Sequence, residues 1–106
     1  MSHIFEVVTS KHRAFAALAT LSFPGQPPRR FTKEEATILS RALDAVAMGD
    51  RRGQQIYMSP IASDHDFEAN VEPGGVVVSL GGHGDVRLDW SETRALAEEL
   101  RSFASQ

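Results

Sequence analysis

The chain contains no cysteine, and that absence excludes a disulfide framework, thiolate metal sites and cysteine nucleophiles together. Any metal site would rest on histidine and carboxylate alone. Aromatic residues make up only 8% of the chain, with one tryptophan and one tyrosine. No series of aromatics is interleaved with basic residues in the way that stacks successive bases of a single strand. No apolar run approaches the roughly 20 residues that span a bilayer. The N-terminal residues lack the basic head and small-residue cleavage site of a secretion signal. These absences predict a soluble, cytoplasmic protein. Neither sign of charge dominates, the formal net charge being -3 over 106 residues, which is far from the composition of a disordered chain.

The charge is unevenly placed. Residues 1–53 hold eight Lys/Arg against five Asp/Glu, and residues 54–106 hold three against nine. Such asymmetry predicts a polar molecule with two unlike faces.

The clearest local pattern lies between Asp66 and Phe103. Val76 to Leu80 and Val86 to Trp90 carry apolar residues at every second position, the period of a half-buried strand. Gly81, Gly82, His83, Gly84 and Asp85 between them suit a turn joining antiparallel strands. These glycines lead into a strand and not into a helix N-terminus, so they predict a hairpin in place of a phosphate cradle. Asp89 and Glu92 stand at capping-box spacing. Beyond them Thr93, Leu96, Ala97, Leu100, Phe103 and Ala104 form one apolar stripe of a helix. Phe67, Ala69 and Val71 alternate with polar residues up to Pro73–Gly74, a pair suited to a type II turn. Ile56, Tyr57 and Met58 mark a further strand, so the strands read as a meander over residues 55–61, 67–72, 75–80 and 86–90.

In the first half, Thr32 and Glu35 form another capping box, with Phe31 placed to staple onto Ala36. Ala36, Leu39, Ala42, Leu43, Val46 and Ala47 then line one face of a helix over 33–48 that stops at Gly49. Before it, Phe23 to Arg30 contains three prolines and a glycine and reads as a linker. At the N-terminus Phe5, Val8, His12, Phe15, Ala19 and Phe23 keep near-helical spacing, which predicts one helix from Ser2 to Ser22. A short strand over residues 4–8, followed by a helix from Lys11 to Leu21, is equally drawable. The alanine-rich stretch 14–19 is helical by propensity in either case. No internal repeat or low-complexity tract is read.

These elements predict a single α+β domain over 1–106: a helical part at 1–49, then a sheet and C-terminal helix at 50–106. The architecture expected is an antiparallel sheet of three to four strands with two to three helices packed on one face.

No nucleophile motif or family-like histidine pairing is present, and no cofactor is expected. Function is therefore sought in surfaces. The acidic residues Asp64, Glu68, Glu72 and Asp85 suit a basic protein partner, as in a small regulator, inhibitor or accessory subunit of the phage or mobile-element style; a homodimer through an edge strand or helix face fits as well. Arg29, Arg30, Arg41, Arg51 and Arg52 form a second candidate, a phosphate-contacting surface around helix 33–48. A third candidate is metal-dependent chemistry at Asp64, His65 and His83, because a meander brings the loops 62–66 and 81–85, with Ser63, Asp66 and Asp85, to one end of the sheet.

Leu100 occupies the middle of the C-terminal stripe. Leu100→Ala is expected to cost about 2 to 5 kcal/mol, read as a fall in the denaturant midpoint at unchanged slope.

Overall fold

The structure is a computed structural model that describes residues 4–50 and 55–106. Nine elements follow in chain order: β1 (Glu6–His12), β2 (Ala16–Ser22), β3 (Arg29–Phe31), α1 (Lys33–Ala47), β4 (Gln55–Met58), β5 (Phe67–Glu72), β6 (Gly75–Ser79), β7 (Val86–Asp89) and α2 (Trp90–Ala104). The class is α+β, with two antiparallel sheets ordered β1-β2-β3 and β4-β5-β6-β7.

Three expectations need correction. The N-terminal helix does not form: residues 6–22 make a β-hairpin, so the first half of the chain is a three-stranded sheet with one helix and not a helical part. Alanine propensity loses here to tertiary burial. Ala19 and Leu21 are buried on the inward parity of β2, and Phe23 follows them into the core. The hairpin closes with Ala16 at φ 66, a conformation that costs a residue with a β-carbon about 1 to 2 kcal/mol, while His12 Nδ1 accepts from the Ala14 N–H at 3.0 Å. Secondly, one sheet becomes two, and the helices number two among the described residues. Thirdly, Pro73–Gly74 does not make a type II turn, because Gly74 is outside the positive-φ region such a turn needs. The unusual backbone falls one residue later. Gly75 sits at φ 158, and a β-carbon there would come 1.8 Å from the Leu88 carbonyl oxygen.

Both capping boxes form. Thr32 caps α1 with Glu35 reaching back, and Asp89 caps α2 with Glu92 doing the same. The helices run antiparallel. Lys33, at the start of α1, donates to the backbone carbonyl of Gln106, and Ala47, at its end, shares a shallow depression with Trp90 and Arg94 of α2. Arg101 pairs with Asp44 across the two helices. One apolar cluster includes inward residues of both sheets and both helices.

The chain also repeats itself, contrary to the reading from sequence. The segments from β2 to α1 and from β6 to α2 match in strand register, caps and buried positions at a constant offset of 57 residues, 31 to 88 and 39 to 96. Ala19 pairs with Phe31 as Val76 pairs with Leu88, and Leu21 with Arg29 as Val78 with Val86. The helix faces correspond throughout: Ala36, Leu39, Ser40, Leu43 and Val46 are buried in α1, and Thr93, Leu96, Ala97, Leu100 and Phe103 in α2. The connecting turns match as well. Gly25 and Gly82 take φ of 78 and 83, and the N–H of the next residue in each bonds back to Phe23 O or Leu80 O. Thus β1-β2-β3-α1 and β5-β6-β7-α2 are two copies of one βββα unit, and β4 is an extra strand on the second. The repeat escapes a reading by eye because few identities survive, among them Ser22/Ser79, Gly25/Gly82, Arg30/Arg87, Glu35/Glu92 and Leu39/Leu96.

The copies differ most at Arg29, which occupies the inward position held by Val86 in the second unit and is fully buried. Its Nε donates to Asp66 O at 2.7 Å, and one Nη to Gln26 Oε1 at 2.8 Å. The guanidinium carbon lies 5.8 Å from the ring centroids of both Phe23 and Phe67, within cation–π range. Gln26 is buried too and donates to Val78 O and Gly84 O at 3.0 and 2.7 Å. Burial pulls the Arg29 pKa below its ordinary value, and its Nη1 has no hydrogen-bond partner among the described residues. Arg29→Ala leaves two carbonyl-type acceptors unsatisfied and opens a cavity, an expected loss of about 3 to 5 kcal/mol. Arg29→Met, which keeps most of the volume and removes the buried charge, is expected to cost less. Urea unfolding of the two variants checks the order.

Candidate binding face

Strand parity divides the four-stranded sheet into two faces. Ile56, Phe67, Ala69, Val76, Val78, Val86 and Leu88 point into the core. The opposite face is built from rows fixed by the register: Tyr57, Glu68 and Ser79 in one, and Gln55, Asn70, Val77 and Arg87 in the next. Both helices draw their buried residues from the core side. On the outward face Gln55, Tyr57, Glu72 and Arg87 are exposed, and Val77, between Asn70 and Arg87, is the buried exception.

Tyr57 is the aromatic of this face, 57% exposed. Its hydroxyl donates to Asp66 Oδ2 at 2.5 Å. That bond, followed by one from Ser59, holds the Asp66 carboxyl below the ordinary aspartate pKa, while the same carboxylate pushes the Tyr57 phenol up. Tyr57 therefore offers an exposed ring whose outer end is fixed against an ionised carboxylate. Ile61, 72% exposed, stands in the loop that follows β4. Its N–H donates to Glu35 Oε2 at 2.9 Å while Glu35 Oε1 accepts from the Thr32 N–H. One carboxylate thus caps α1 and pins the loop beside it.

The acidic candidates fall along this sheet. Glu68 lies opposite Tyr57, and Asp64 and Asp85 are in the loops at that same end. Glu72 stands at the other end and pairs with Arg87 at 2.7 Å; both groups are solvated, so the pair contributes little to stability. Around it Glu72, Arg87, Asp89 and Glu92 line a shallow depression of about 300 Å³. Asp89 and Glu92 are occupied there by the α2 cap.

The loops 62–66 and 81–85 do emerge together, since Met58 pairs with Phe67 and Glu68 with Ser79. What meets between them is Gln26 and Arg29, and not a ligand set. Asp64, His65 and His83 are not brought together, and no group of three or more His, Asp or Glu able to hold a metal occurs among the described residues. The arginine candidates are placed as follows. Arg29 is buried and cannot reach a phosphate, Arg30 and Arg41 are exposed on separate elements, and Arg51 and Arg52 lie outside the described residues.

Sequence reasoning missed Tyr57 and Ile61. The signal for Tyr57 was present: with Ile56 facing the core, period two turns Tyr57 outward. Ile61 carries no such signal, because an apolar residue in a loop has no periodicity to place it. Comparison with protein-family models, curated proteins and solved structures gives no match for this chain.

The Tyr57–Asp66 bond has a testable titration. A carboxyl whose folded pKa is below its unfolded value contributes stability that is present at neutral pH and disappears as pH falls through the folded value. Carboxyl NMR titration should find Asp66 titrating below an ordinary aspartate, and Tyr57→Phe should move it upward. An unchanged Asp66 curve in Tyr57→Phe contradicts the bond.

Proposed function

We propose that this chain is a non-enzymatic binding module, a regulator, inhibitor or accessory subunit, that receives a basic protein surface on the outward face of β4–β7. The observation that carries the reading is the exposed Tyr57 ring held by ionised Asp66 with Glu68 opposite it in the register. An aromatic face flanked by carboxylates suits lysine and arginine side chains: the ring attracts the cation, and the carboxylates accept its hydrogen bonds. Tyrosine also provides contact area at a small entropic cost, because it has few rotatable bonds to freeze. Asp64 and Asp85 at the same end extend the negative potential that steers a cationic partner. The fold supports this use, since the helices cover the inner face and leave the outer one to a ligand.

The nucleic-acid and metal readings have less support. Burial removes Arg29 from any phosphate-contacting set, and the histidine loops converge on the Gln26–Arg29 hydrogen bonds.

The test is capture with the tagged full chain from lysate of its host, compared with Tyr57→Ala and Glu68→Lys. A stoichiometric basic protein retained by the parent and lost from both variants, each still folding cooperatively and Tyr57→Ala melting somewhat lower for want of its bond to Asp66, is the expected result. The parent's captured set persisting undiminished on both variants sinks the reading.

A further inference from the structure

The internal repeat identifies a bare edge. In the second unit β4 pairs along the outer side of β5, with Ile56 opposite Ala69 and Tyr57 opposite Glu68. The pairing of β5 with β6 and of β1 with β2 makes β1 the counterpart of β5: Glu6 lies opposite Ser22 as Glu68 lies opposite Ser79, and Val7 opposite Leu21 as Ala69 opposite Val78. Yet β1 stands at the edge of its sheet, and no strand among the described residues takes the place that β4 takes in the other unit. It is a seven-residue strand, and Glu6, Val8, Thr9, Ser10 and Lys11 are all exposed. It also extends past the point where the second unit turns. The first hairpin closes at His12–Ala16, whereas Ser10, opposite Leu18, corresponds to Glu72, opposite Gly75, where β5 ends.

A long unpaired strand with valine and threonine at its centre is a template for another strand. We infer that the strand it accepts is β1 of a second copy, paired antiparallel about a twofold axis at Thr9. Charge selects this occupant and this register. The acidic residue of β1, Glu6, is at one end, and Lys11 and His12 are at the other. A twofold at Thr9 sets Glu6 opposite His12 of the second copy and Val7 opposite Lys11 of the second copy, so the acidic end of each strand lies along the basic end of the other, with no like charges opposed. All seven residues then pair, and residues of the same face meet, as an antiparallel ladder requires. The contact is isologous and closes after two chains, joining two three-stranded sheets into one of six.

The chain's lack of cysteine gives the test a clean background. At the twofold, the Thr9 Cα atoms of an antiparallel pair are about 4.5 to 5.5 Å apart, within disulfide reach. Lys11 is on the same strand but opposes Val7 of the second copy, which leaves its own mate four residues along the ladder. Sedimentation of the full chain should show a mass that doubles with rising concentration. Thr9→Cys should oxidise to a covalent dimer, Lys11→Cys should remain a thiol, and Thr9→Lys, which opposes two cations at the axis, should abolish the doubling. Both positions are exposed, and a Tm for reduced Thr9→Cys and for Thr9→Lys equal to the parent's at concentrations where the parent is monomeric certifies the fold. A monomer at every concentration, a dimer that survives Thr9→Lys, or equal crosslinking at both positions overturns the inference. Tyr57→Ala should leave the dimer intact, which separates this edge from the binding face of β4–β7.

Discussion

The guanidinium of Arg29 ties together parts of the chain that strand pairing alone would leave apart. From one inward position on β3 it reaches the backbone of Asp66 in the β4–β5 loop and, through Gln26, the carbonyls of Val78 and Gly84 around the β6–β7 loop. A buried cation is expensive to desolvate, and here two aromatic faces and fixed oxygen acceptors offset that cost in place of a counter-ion. The consequence lies at the outer surface. Asp66 gives its carbonyl to Arg29 and its carboxylate to Tyr57, so the buried bond sets the backbone from which the exposed ring is oriented. Core electrostatics and the candidate site share one residue.

That arrangement is where the two βββα copies part company. Their helices, caps and glycine turns correspond residue by residue, which is what duplicate units burying one shared core require. Arg29 against Val86, Gln26 against His83 and the presence of β4 break the symmetry. Each of the three acts on the four-stranded sheet: β4 supplies Tyr57, Arg29 fixes the loop carrying Asp66, and Gln26 binds the edge of the β6–β7 turn. Repetition accounts for the shared architecture, and departures from repetition shape the face that carries Tyr57.

Much of the fold was legible in local chemistry. The Thr32/Glu35 and Asp89/Glu92 spacings located both helix starts, and alternation located β5, β6 and β7 to within a residue or so, because caps and periods are set by neighbours in sequence. The N-terminal hairpin was not legible, since Ala14 to Ala19 favours a helix and only contact with distant core residues reverses that preference. Arg29 was misread for a related reason. Arginine is almost always at the surface, and nothing beside it in the sequence announces that Phe23, Phe67 and Gln26 will enclose it. The internal repeat was present in the sequence but lies in register and residue class, as in Ala36 with Thr93 or Val46 with Phe103, and so becomes visible once strand pairing gives the offset.

The same comparison shows how the proposed binding face and the proposed association edge arise in so short a chain. Two βββα units that bury their helices against one another leave the outer sides of their sheets without a helix among the described residues. The second unit closes its β5 edge with β4 and, in doing so, acquires Tyr57. Among the described residues the first unit has no such strand and keeps Val8 and Thr9 exposed on β1. If a second copy closes that edge, each assembly carries two Tyr57 faces related by a twofold axis. A partner with repeated basic sites would then engage both, and its second contact would form at the effective concentration set by the spacing of the faces, with no new interaction required at either one.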